Sequence, residues 1–177
     1  MRTAQMSCLF AIVSWAVGQP ATSPDERFVA RMAQVNLAEV QMSAWAKDHA
    51  LSDEVRRFAT KVLNDHTVLA DELRSIAVKE SAAPVAELDP KEAAEFERMR
   101  TLEPNLLDRE YMHEIMRWHG KEAEAYKREV DTGKDQGLRY WAYQMITKIQ
   151  AHIRLGEDTE RAIGMEVAER VANNTNK

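Results

Sequence analysis

The sequence predicts an all-α protein, an antiparallel four-helix bundle with a short crossover helix and a helical C-terminal extension. Two observations predict it. Apolar residues recur at i, i+3 and i+4 along four long stretches, the pattern of amphipathic helices sharing a core. Two of the breaks between those stretches are short, which places the helices on either side antiparallel. No strand pattern and no glycine-rich nucleotide loop competes with this reading.

The chain has 177 residues, and its start reads as an export signal. Arg2 is a small basic n-region, Met6 to Val17 is an apolar run, and Ala16-Val17-Gly18 supplies small residues before a cut. The run is shorter than the ~20 residues of a membrane span. Residues 1–18 are therefore expected to be a signal peptide, followed by a Pro/Ser/Thr linker over 19–25 and by the bundle over 26–156. A weaker helical extension and a frayed tail fill 157–177. The single cysteine, Cys8, falls within the signal, so the mature chain lacks thiol chemistry. Loss of Arg2 takes the net charge from −5 to −6, with no basic stripe to neutralise phosphates, so nucleic acid is excluded as the main partner. Export to the periplasm or cell envelope, with no transmembrane segment in the mature chain, makes an envelope protein or a second copy of the chain the expected partner.

Each helix is justified in turn. The first runs from about Glu26 to Lys47 with Phe28, Met32, Val35, Glu39, Met42 and Ala46 on one stripe. Ser52 is an N-cap for the second, which continues to about Lys79 with Val55, Ala59, Val62, His66, Leu69, Leu73 and Ile76 facing inward. Pro84 interrupts the pattern, Asp89-Pro90 caps a short crossover helix, and Pro104 opens the third long helix. That helix carries Met112, Ile115, His119, Ala123 and Tyr126, and ends before Gly133, read as a left-handed cap. The fourth carries Leu138, Ala142, Met145, Ile149 and His152, with weaker periodicity beyond Gly156.

Glu39, His66, His119 and His152 stand where an apolar side chain is expected, one per helix. Buried groups of this kind must be hydrogen-bonded, paired or metal-bound. Bundles build metal sites from inward side chains of facing helices, and imidazole with carboxylate suits zinc, iron or copper. These four are the candidate metal ligands. Asp65, Tyr111 and Tyr126 are candidate partners that orient them. At 1.5 Å per residue His119 and His152 fall within about 5 Å in height, whereas Glu39 and His66 are offset by about 7 Å, which sets Glu39 back from the histidines or makes the turn asymmetric. The competing reading is a structural or protein-interaction module whose buried polar network fixes helix register and binds no metal. Glu110 and His113 form an E-x-x-H on a solvated face, and no catalytic constellation emerges.

The segments FVARMAQVNLAEV, FATKVLNDHTVLADEL, LDREYMHEIMRWH and IQAHIRL resemble a bacterial exported family of unknown function. Its members often carry the label of predicted outer membrane proteins and are placed in the ferritin-like superfamily. The resemblance covers about Asp25 to Leu155, and its most specific elements are Asp65-His66, Asp108 with Tyr111 and His119, and His152 after Ile149. It implies a ferritin-like bundle at the periplasm or envelope and no established activity. Leu107 and Thr147 depart from the pattern, where an aromatic residue and a proline are usual. The ferritin set of several glutamates with two inward E-x-x-H motifs is not reproduced, so ferroxidase activity and iron storage are not implied. Amphipathic helices do not make an outer-membrane barrel.

Overall fold

Four long helices pack in a ring, with a short fifth laid across one side. A computed structural model of the protein describes residues 23–82 and 85–175, with side chains to residue 164. The expected signal peptide and Pro84 lie outside the described residues. The helices are α1 (Pro24–His49), α2 (Asp53–Lys79), α3 (Pro90–Arg100), α4 (Pro104–Thr132) and α5 (Gln136–Thr175), and there are no strands among the described residues. α1 packs on α2 and α4, α5 packs on α4 and α2, and α3 lies against α1 and α4. Among the described residues, no helix is long and apolar enough to cross a membrane.

The helix starts follow from local chemistry. Ser23 and Glu26 form a reciprocal capping box around Pro24, so α1 begins two residues before the expected start. Ser52 accepts the Glu54 N–H, and Asp89 accepts the N–H groups of Lys91 and Glu92. Two buried aspartates clamp the short turns from across the molecule. Asp108 of α4 accepts the N–H groups of Leu51 and Ser52 at 2.7 and 2.8 Å. At the opposite end, Asp25 of α1 accepts those of Lys134 and Asp135. Each satisfies helix-end donors that packing would otherwise strand.

One turn expectation is corrected. Gly133 is not left-handed, for its φ is −58°. Asp25 closes that turn instead, and the Glu129 side chain folds over Gly133 so closely that a Cβ there would strike it. Beyond Gly156 the last helix continues, as expected. Met116 of α4 occupies the space a side chain at 156 would need.

The core is apolar at both ends and polar in the middle. Val35, Met42, Val55, Phe58, Val62, Met112 and Ile115 belong to one buried cluster. Met32, Leu73, Tyr126, Met145 and Ile149 belong to another. Between them sit the ionisable groups.

Candidate metal centre

All four predicted ligands are buried and converge. Glu39 and His119 are 0% exposed, His66 2% and His152 6%. The imidazole centroids of His66, His119 and His152 are 5.2, 5.4 and 5.7 Å apart. Glu39 Oε2 lies 2.7 Å from His66 Nδ1, and its Oε1 lies 3.5 Å from His119 Nε2. The expected offset between Glu39 and His66 is therefore bridged. Glu39 stands ten residues before the end of α1 and His66 thirteen into α2, a difference of about 4.5 Å in height that a glutamate spans.

The structure adds a fifth member. Glu122, one helical turn beyond His119 on α4, is 1% exposed and joins Glu39, His66 and His119 in a group whose donor atoms lie within 4.8 Å of one another. The three histidines form an overlapping group of the same compactness. The periodicity of α4 assigned that inward position to Ala123, which is only partly buried. The available signal was the i, i+3 spacing of His119 and Glu122, which share a face.

Hydrogen-bond chemistry fixes two of the tautomers. His152 Nε2 is 2.7 Å from Asp65 Oδ2, and a carboxylate at that distance accepts, so Nε2 carries the proton. His152 Nδ1 then holds a lone pair and is buried without a partner. His66 Nδ1 donates to Asn36 Oδ1 at 3.0 Å, which leaves the lone pair on Nε2. Asp65 thus orients a ligand-type imidazole, and that imidazole belongs to His152 rather than to its neighbour His66. Its bond to Lys61 is also present. The tyrosines are placed differently from one another. The Tyr111 hydroxyl bonds Ser43 at 2.9 Å, and the Tyr126 ring packs edge-on against Phe28 and Trp141.

Burial dominates the electrostatics. It pushes the Glu39 and Glu122 carboxyls well above the usual carboxylate range, and the charge of Glu39 raises Glu122 further. It holds the His119 imidazole well below its ordinary value, with His66 and His152 adding to the shift. Apart from the contact between the Glu39 and Glu122 carboxyls and the approach of His66 Nδ1 to Glu39, seven nitrogen and oxygen atoms of this group lack a hydrogen-bond partner: both oxygens of Glu39 and of Glu122, both ring nitrogens of His119, and Nδ1 of His152. A divalent cation would balance two carboxylates and accept lone pairs from neutral imidazoles. The spacing suits one. With a metal–nitrogen distance of about 2.1 Å, tetrahedral coordination sets imidazole centroids roughly 5.3 Å apart.

Glu110, His113 and Glu114 also approach one another, but arginines hold the carboxylates: Arg98 reaches Glu110, and Arg117 reaches Glu114. His49 is exposed and stacks on Trp45.

Fold and site together define an all-α protein with a buried core of three histidines and two glutamates. The chain belongs to the family described as Domain of unknown function (DUF4142), whose model matches residues 14–158. Among curated proteins none matches. Two solved structures share the fold. A DUF305 fragment from Deinococcus radiodurans superposes with a TM-score of 0.67 at 18% identity, covering 80% of this chain and 99% of its own. A DUF305 protein from Streptomyces coelicolor, described as a candidate secreted protein, superposes with a TM-score of 0.65 at 20% identity, covering 78% and 91%. The expectation of a helical family without an established activity holds.

Proposed function

We propose that this chain is an exported protein of ferritin-like, four-helix architecture that binds one divalent transition metal in its core. Glu39, His66, His119 and His152 are the ligands foreseen from the sequence, and Glu122 completes the set. The carrying observation is the gathering of five buried ligand-type side chains into two overlapping clusters that share His66 and His119, with seven of their polar atoms lacking a well-formed hydrogen bond. Leaving such atoms without partners costs about 1–3 kcal/mol each, so a purely structural network would be expected to satisfy them. The donor set of imidazole nitrogen and carboxylate oxygen suits zinc, iron or copper. Asp65 behind His152 and Asn36 behind His66 are the outer partners that fix ring orientation in metal sites. The secreted character ascribed to the Streptomyces coelicolor protein supports export.

Titration of the purified, chelator-treated chain with zinc, iron(II) and copper(II) tests the reading. Saturation near one ion per chain is expected for at least one of them, with His66→Ala and His119→Ala each losing it. Failure of all three metals to bind the refolded wild-type chain would defeat the proposal and leave the inert polar network.

A further inference from the structure

The core is sealed, yet two cavities reach it from different sides. One, of about 320 Å³, lies between α2 and α5 and has His66 and His152 in its lining. The other, of about 220 Å³, lies between α1, α3 and α4 and has Glu122 in its lining. Taking each water as roughly 30 Å³, either could hold a hydrated ion, so size does not choose between them. Charge does. The outer parts of the α2–α5 cavity carry Lys61 and Lys148 against Asp65 and Glu72, a balanced set. The α1–α3–α4 cavity carries Arg31, Lys91, Arg117, Lys121 and Arg128 against Glu92, Glu95 and Glu124 outside Glu122, an excess of positive charge that repels cations.

The two also differ in what a cation meets first. In the α2–α5 cavity the Asp65 side chain is 39% exposed and touches His152 at 2.7 Å, so a carboxylate at the surface leads directly to a buried imidazole. Lys61 also engages Asp65, at 2.6 Å, but it is a single exposed lysine; in the other cavity Arg31 holds the buried Glu92 at 2.6 Å and Arg117 reaches both Glu95 and Glu114, so arginines engage these acids.

We propose that the core is loaded from one side: metal cations enter through the α2–α5 cavity, with the Asp65 carboxylate as their first landing point on the way to His152 and His66. This rests on the metal-binding reading above. Lys148, 61% exposed and 3.7 Å from Glu72, sits in this entrance and slows the approach. Its charge sets a rate and leaves the equilibrium site intact.

The test is stopped-flow loading of the chelator-treated full chain with Zn²⁺, read by displacement of a metal-sensitive dye. In Lys148→Glu the loading rate is expected to rise two- to fivefold at low salt. The gain should vanish at high salt with the plateau unchanged. Lys121→Glu, at the other cavity, is expected to stay within twofold of wild type. Acceleration by Lys121→Glu alone, or no change in either variant at a full plateau, would overturn the route. The plateau reports the site and the rate constant its entrance, so a missing plateau in the wild-type chain marks failure of the metal reading itself.

Discussion

Asp65 on α2 accepts a hydrogen bond from Nε2 of His152 on α5 at 2.7 Å and at the same time holds Lys61 Nζ at 2.6 Å. The bond fixes the proton of His152 on the outer nitrogen and leaves its inner nitrogen free to donate to a metal. Asp65→Asn should therefore weaken metal affinity about 10- to 100-fold while the helical content is retained. Lys61→Ala removes only a surface partner of the same carboxylate and should change affinity less than threefold. Parallel calorimetric titrations of the two variants separate the roles.

Glu122 distinguishes a ligand from a structural group. Its carboxyl is buried with only the equally buried Glu39 carboxyl as its partner and is raised well above the usual range, so it weakens the metal-free fold. In Glu122→Gln the metal-free protein should be as stable as wild type or more stable by up to about 1 kcal/mol. Metal affinity should fall at least tenfold, about 1.4 kcal/mol. Denaturant unfolding with and without metal should show these opposite effects.

Asp108 acts on the fold alone. It satisfies the two N–H groups of the α1–α2 turn from α4, and its distance in sequence from that turn makes it a clasp between helices. Asp108→Ala should cost about 1–3 kcal/mol, lowering the denaturant midpoint, with the stoichiometry of metal binding retained.

Glu129 gives stability a pH dependence separate from the core. Burial, followed by the charges of Asp25 and Glu80, raises its carboxyl from 4.5 to about 7. A group raised on folding stabilises the native state while protonated. Its contribution is complete below pH 4.5 and declines as pH rises towards 7, because the native state holds a proton the unfolded chain has released. Glu129→Gln should flatten that part of the stability curve and leave the variant more stable than wild type at pH 8. Urea unfolding across pH 4 to 8 checks it.

The parts of the site legible in the sequence were those that contradicted their surroundings. Glu39, His66, His119 and His152 interrupt apolar stripes, and a polar residue there must have a reason. Glu122 is less visible because α4 places it beside Ala123, and helical periodicity cannot choose between adjacent positions at the edge of a stripe. Asn36 was hidden next to Val35 in the same way. The helix caps at Ser52 and Asp89, and the opening proline Pro104, were readable because they are local. Asp108 and Asp25 were not, since their partners lie 56 to 110 residues away. Gly133 was misread as a left-handed cap, and the packing role of Gly156 went unseen. Each makes room for a neighbouring side chain, Glu129 in one case and Met116 in the other. That role depends on packing, which a single sequence does not display.

The central claim is that imidazole and carboxylate groups of the buried core coordinate one metal ion. X-ray absorption at the zinc edge of the loaded chain tests it most directly. The account predicts a shell of nitrogen and oxygen at about 2.0–2.2 Å with multiple scattering from two or three imidazoles and no sulfur, and no zinc retained by His119→Ala. A sulfur shell near 2.3 Å, or an imidazole-free spectrum unchanged by that substitution, would contradict it.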